Sequence, residues 1–278
     1  MPLVNKNVNT IPAYKLVQGP VSCTDPYAFY FDGGNNTVAN DAGDAIFDLA
    51  SNMSISAWIQ VDPAVIAAPV SNTLYMIADK ATGPLSSGGS GYTLYLRQTG
   101  TATYVCFTVN VAGNSPSQKR AEIEITDSLT HHVVGTFNGP VGSELKMYVD
   151  GVLTVTPNNP KILTTPGLIP ISAQDFCIGN TTTTPGNDEF DGKLDEISVW
   201  DKELVLAQVQ TIYDFNTNCD LNALGYTGLI AWYRMGENAT WNLPTPNEWT
   251  LNNAGPLAPA GQLISNGMVY ADRVPGII

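Results

Sequence analysis

Glu122 and Glu124, with one residue between them, are the first pair in this 278-residue chain that could do chemistry. Side chains two apart on a strand share a face, and retaining glycoside hydrolysis works through two carboxylates about 5 Å apart. The alternation Glu122-Ile123-Glu124-Ile125 is equally what an edge strand with one wet face looks like. His131 and His132 titrate in the range where acid–base chemistry operates. Adjacent strand residues point to opposite faces, so the two cannot serve one substrate atom, and their spacing favours a packed core histidine. Cys23, Cys106, Cys177 and Cys219 are far apart, with no CxxC pair. They read as buried free thiols and not as a metal centre. No serine elbow, phosphate loop or zinc signature stands out, and a binding or structural role is favoured over catalysis.

Aromatic rings offer a second kind of chemistry, because they stack on the apolar faces of sugars and bury large areas. Trp241 and Trp249 fall in a stretch without regular period and are expected to be exposed there. Either they form a sugar platform or they pin the tail to the body of the protein, and the second is favoured.

The elements that must position these residues are strands. Met53, Ile55, Ala57, Ile59 and Val61 alternate with mostly polar neighbours, the period of a half-buried strand. Similar runs cover 28–31, 74–79, 92–97, 104–109, 131–137, 145–149, 176–178 and 194–200, separated by Gly, Pro, Asn and Thr. Asp150-Gly151 predicts a type I′ hairpin turn. One short helix is predicted over 206–214, where Val205, Val209, Ile212 and Tyr213 make an apolar stripe. After an Asn-rich link and a last apolar run at 229–235, about 40 residues read as coil.

Size and charge narrow the partners. Apolar residues make up 44% of the chain and Gly plus Pro number 25 and 19, a balance that suits short strands joined by tight turns. With 25 acidic residues against 12 basic ones the net charge is −13, which repels nucleic acid and anionic membranes. No apolar stretch is long enough for a membrane helix, and the opening residues lack the order of a secretory signal, so synthesis in the cytoplasm is expected.

Several short motifs, in order, resemble the laminin-G-like jelly roll related to concanavalin-type lectins. They are Phe31-Asp32-Gly33, Ser54-Ile55-Ser56-Ala57-Trp58, Gly91-Tyr92-Thr93-Leu94, His131-His132-Val133-Val134-Gly135-Thr136-Phe137, Tyr148-Val149-Asp150-Gly151 and Phe190-Asp191-Gly192-Lys193-Leu194-Asp195-Glu196-Ile197. The resemblance covers roughly residues 27–215. Thr130 departs from it where an aromatic is usual, and Val205 stands where a capping Ser is usual, so the helix is expected to fray at its start.

The resemblance implies an all-β, two-sheet antiparallel sandwich over 25–216, preceded by an arm over 1–24. One short helix and an irregular extension over 217–278 complete the chain. It also implies a structural calcium held by Asp32 and Asp195 with turn carbonyls from Asn35 or Asn36. The bland alternative is that Asp32 caps a turn and Asp195 bonds backbone amides. Hydrolases of the same broad fold set an aspartate between two catalytic glutamates, whereas Thr126 follows Glu124 here, so no catalytic residue is expected.

The segment Gly228-Leu229-Ile230-Ala231-Trp232-Tyr233-Arg234-Met235-Gly236-Glu237 is similar to one that follows the jelly roll in marine phage proteins. That similarity implies a non-enzymatic virion component such as a capsid decoration, head fibre or tail fibre, with Trp232, Tyr233 and Arg234 in assembly contacts. An arm and a tail too irregular to order themselves fit ends clamped in a homo-oligomer or against other virion proteins. Host-surface glycans are the expected outside partner. An adhesin outside a virion, and more remotely a glucan hydrolase, are the alternatives.

Overall fold

The computed structural model describes residues 26–34, 36–40, 45–82, 89–181, 188–214, 220–243 and 248–278. The expected arm over 1–24, with Cys23, and also Asn35 and Cys219, lie outside the described residues. In chain order the strands are β1 (Tyr27–Asp32), β2 (Thr37–Asn40), β3 (Met53–Val61), β4 (Leu74–Asp79), β5 (Tyr92–Gln98) and β6 (Thr103–Val109). Next come β7 (Arg120–Ile125), β8 (Thr130–Phe137), β9 (Glu144–Val149), β10 (Lys161–Ile162), β11 (Cys177–Ile178) and β12 (Asp191–Trp200). The last five are β13 (Leu229–Tyr233), β14 (Ala239–Asn242), β15 (Glu248–Leu251), β16 (Leu263–Asn266) and β17 (Arg273–Pro275). Beside the expected helix, here α3 (Leu206–Asp214), stand two single-turn pieces, α1 (Pro63–Ala67) and α2 (Gly139–Gly142).

Among the described residues eight strands form one antiparallel sheet, in the order β10-β9-β8-β3-β12-β1-β17, with β13 beside β12. The other sheet has nine, in the order β14-β15-β16-β2-β11-β4-β5-β6-β7. Alternation dictates what lies between them. Phe29, Phe31, Ile55, Ile59, Leu94, Phe107, Val133 and Leu194 all point into one continuous core and are fully buried. The fold is the expected two-sheet sandwich.

β12 is long enough to hold two partners end to end on one side: its first half pairs β1 and its second half pairs β13. Between them the register shifts, and Glu196 takes a left-handed backbone conformation at φ 46°. Outside the first sheet, α3 covers a second cluster built from Val134, Tyr148, Trp200, Leu204, Val209 and Trp232. At the start of α3, Gln208 Oε1 accepts from the Val205 amide at 3.1 Å, which is one half of a capping box; the other half needs a side-chain oxygen that Val205 lacks. Asp150 and Gly151 both have positive φ, 51° and 73°, as the hairpin turn between β9 and Val152 requires.

The expected coil after residue 235 is replaced by strands. β14, β15 and β16 extend the second sheet to β2, and β17 extends the first beside β1. Each is only three or four residues long, too short to show a period alone. β16 and β17 are ordered by pairing with β2 and β1, distant in sequence, and β15 and β14 follow on β16 as a meander.

Candidate functional site

The two strands that end the sheets on one side, β14 and β17, both come from the C-terminal segment, and the opening between them is closed by rings. Trp249 on β15 is 1% exposed, sits 5.3 Å from Phe29 and donates its indole N–H to the Val269 carbonyl. Tyr270 stacks on Trp249 with centroids 5.6 Å apart and planes at 14°. Trp241, opposite Trp249 in the β14–β15 pair, packs edgewise on Tyr270 at 6.1 Å. Arg273, opposite Phe29 on β17, lays its guanidinium over Tyr27 at 4.3 Å, Trp249 at 5.1 Å and Tyr270 at 5.7 Å. Tyr27 is 37% exposed and Tyr270 58%, so the cluster has a solvent face.

The close fit is backbone-dependent at Gly236, whose φ is 144°. A Cβ there would stand 2.4 Å from the Tyr27 Cβ. Glu237, next along, accepts the Tyr27 amide at 2.9 Å and ties β1 to the segment that leads into β14.

Of the two tryptophans expected to be exposed, Trp241 is half-buried at this surface and Trp249 is an anchor beneath it. Sequence reasoning missed Tyr27, Tyr270 and Arg273. The signal for their company was the pair of short alternating runs, Thr240-Trp241-Asn242 and Glu248-Trp249-Thr250, in which the tryptophans face the same way.

Trp232, Tyr233 and Arg234 are not surface assembly contacts in this structure. Trp232 and Tyr233 are buried, the first against Trp200's cluster and the second in the main core with its hydroxyl on the Gly261 carbonyl. Arg234 donates to Glu196 Oε1 at 3.0 Å. Burial pushes the Glu196 carboxyl up to about 7, against the pull of Arg234. The three residues fasten the extension to the sandwich.

Asp32 and Asp195 are not brought together. Asp32 pairs in register with Asp191, and Asp195 lies four residues further along β12, about 13 Å at strand rise. Asp32 Oδ1 instead accepts from the Gly34 amide and the Asn36 side chain, as a turn cap does. Asp195 is fully buried and accepts from the Glu196 amide. A calcium shell needs six to eight oxygens within about 2.6 Å, and this pair does not fit one. Asp32, Asp191 and Asp62 do line up across β1, β12 and the end of β3. Burial and then the charges of Asp62 and Asp32 raise the Asp191 pKa. Among the described residues no three acidic, His or Cys side chains converge as a metal-holding group. Beside this row a concavity of about 410 Å³ is lined by Tyr30, Gln60, Asp62, Leu129 and Lys193.

The acid pair on β7 is disarmed. Glu122 is 6% exposed and its Oε2 takes both Arg97 and Arg120, at 2.9 and 2.8 Å, while Oε1 takes Asn158. Burial works against its ionisation, yet the two guanidiniums outweigh it and hold the carboxyl below its ordinary range. A general acid needs the opposite shift. Glu124 is exposed, opposite Tyr104 on β6.

His132 is fully buried between Trp58 and Tyr213, with Nε2 2.8 Å from the Ser56 hydroxyl, and burial lowers its pKa to about 3. His131 bridges Asp150 and Asp127, whose hydrogen bonds, Asp150's first, raise its pKa. Both are structural groups. Cys106 and Cys177 are buried free thiols.

A family model described as the concanavalin A-like lectin/glucanases superfamily, Laminin_G_3, matches residues 32–210. The chain belongs to this superfamily. Members thus share a fold with both sugar binders and sugar hydrolases. A candidate carbohydrate-binding protein from Bacteroides ovatus superposes with a TM-score of 0.60 at 19% identity, over 91% of this chain. The chain spans 62% of that protein's length. A heptameric pentraxin from Limulus polyphemus aligns over 89% of this chain and 97% of its own, at 14% identity and a TM-score of 0.48. No curated protein matches by sequence. Among the described residues no helix is long and apolar enough to cross a membrane.

Proposed function

We propose that this superfamily member is a non-catalytic glycan-binding sandwich, carried on a virion as a decoration, head-fibre or tail-fibre component that meets host-surface sugars. The observation that carries the binding role is the lateral ring cluster. Tyr27, Trp241 and Tyr270 offer aromatic surface to solvent, while Trp249 and Phe29 hold it rigid from beneath. Rigid rings lose little conformational entropy when they stack on a pyranose. The Bacteroides ovatus protein supports the same reading through its described role. The locked state of Glu122 argues for binding over hydrolysis within the superfamily. The virion part of the proposal is supported by the 228–237 segment and its similarity to marine phage proteins.

A glycan array tests the binding role. The folded chain is expected to give saturable binding that falls at least about tenfold in Tyr270→Ala with Trp241→Ala, the loss of about 1.4 kcal/mol. Silence of the folded wild type across a broad array would overturn it. The assembly part predicts a homo-oligomer, or binding to capsids, in sedimentation; a monomer indifferent to capsids would overturn that part alone.

A further inference from the structure

The protein has four arginines, and three of them hold carboxylates: Arg97 and Arg120 share Glu122, and Arg234 holds Glu196. Arg273 is different. Its guanidinium rests on Tyr27, Trp249 and Tyr270, and among the described residues no carboxylate comes within ion-pair distance of it. Its backbone is fixed in β17, paired to β1. Two carboxylates close by are engaged elsewhere: Asp272, the preceding residue, accepts the Val269 amide on Oδ2, and Glu237, which follows the Gly236 that packs by Arg273, accepts the Tyr27 amide on Oε1.

From this geometry we infer that the ring cluster takes a carboxylate-bearing sugar, a uronic or sialic acid residue, with Arg273 receiving the carboxylate. The inference rests on the glycan-binding reading above and names the ligand class of that same site. A guanidinium presents a planar fork of donors that matches a carboxylate two-on-two and is weakly hydrated, so it gives up little on binding. Held over three rings, it has already lost most of its rotamer freedom. The rings beside it supply the flat apolar surface that a pyranose face needs, and Trp241 extends that surface away from the charge. A neutral sugar would use the rings and leave the fork to water; an acidic one uses both.

The net charge of −13 opposes the approach of any anion. At physiological salt that repulsion fades within about 8 Å, whereas a contact pair is local and survives. The site therefore discriminates by contact, not by attraction at a distance.

The test compares each acid with its own neutral form by calorimetry at physiological salt: 3′-sialyllactose against lactose, and tetragalacturonate against its methyl ester. The wild type is expected to bind at least one acid about 10- to 100-fold more tightly than its neutral counterpart, the range of a charged hydrogen-bonded contact. Arg273→Gln should remove that preference, so that each acid and its neutral form bind with the same affinity. Equal affinity for acid and neutral forms, with both lost in Trp241→Ala, would overturn this inference and leave the glycan-binding reading intact. Failure of the folded wild type to bind any probe here or on the array would overturn both. Should Arg273→Gln not fold, the wild-type ratio of acid to ester decides alone.

Discussion

Trp249→Ala asks whether the C-terminal segment is part of the sandwich or an appendage. Trp249 is 1% exposed, touches Phe29, Trp241, Tyr270 and Arg273, and loses a hydrogen bond to Val269 on truncation. Phenylalanine or tryptophan truncation in a packed core costs about 3–5 kcal/mol, transfer and cavity together. For a domain of this size each kcal/mol moves the melting temperature by about 2–4 °C, so the expected fall is about 6–20 °C. The fall should come as one transition, because β16 is hydrogen-bonded to β2 and β17 to β1, which lie inside the two sheets. Calorimetry with hydrogen exchange reads both quantities. Amides of β1 and β2 should lose protection together with those of β15, and Trp249→Phe should recover most of the loss. A first transition confined to residues after 235, with the sandwich melting unchanged behind it, would refute the reasoning.

Asp79 is fully buried on Thr93, Thr181 and the Ala81 amide, and burial raises its pKa from 3.8 to about 7. The unfolded chain releases this proton near 3.8 and the folded chain keeps it until about 7, so stability is lost as pH rises through that window, at most about 1.4 kcal/mol per pH unit. Asp79→Asn should flatten the curve and be the more stable form at pH above 7 in denaturant titrations; parallel curves for the two proteins would contradict the assignment. Calcium should not move the melting temperature, because Asp32 and Asp195 share no coordination shell. An ion at a hundred times its dissociation constant would stabilise by about 2.7 kcal/mol, roughly 5–11 °C. A rise of that size, abolished by Asp191→Asn, would place an ion on the carboxylate row.

The sandwich was legible because its information is local. Met53–Val61 carries its alternation within nine residues, and Asp150-Gly151 carries its turn within two, so β3 and the hairpin match their expected positions. The candidate site was legible only in part because its information is not local. Trp241 and Trp249 could be singled out as aromatic, yet which of them is exposed depends on Phe29 and Tyr270 closing over one of them. β17 is three residues long and includes Pro275; nothing in Arg273-Val274-Pro275 speaks for a strand until β1 is there to pair with it. For Trp232 and Tyr233 the assembly role rests only on the similarity of 228–237 to phage proteins, whereas the run fills the flank of β12's second half, a place that no local pattern specifies.

The same non-local closure bears on the glycan-binding role proposed above for this member of a superfamily described by both lectins and glucanases. Parts of both sheet faces are taken up by packed side chains. α3 and its cluster cover much of the first, and on the second the would-be catalytic strand holds Glu122 under two guanidiniums. The flank between β14 and β17 carries the ring cluster, whose outer face meets solvent, and the segment that builds it comes after the 32–210 stretch that the family model matches. On the glycan-binding reading, a recognition surface placed there can change its rings and its arginine without disturbing the register of β3, β8 and β12. The core of the sandwich tolerates no such freedom, since Gly135 already has the Phe107 ring 2.3 Å from where a Cβ would stand. On that reading the ligand class is set by residues after 235 and by Tyr27, so Trp241→Ala or Tyr270→Ala is expected to change glycan binding while leaving the register of the sandwich intact.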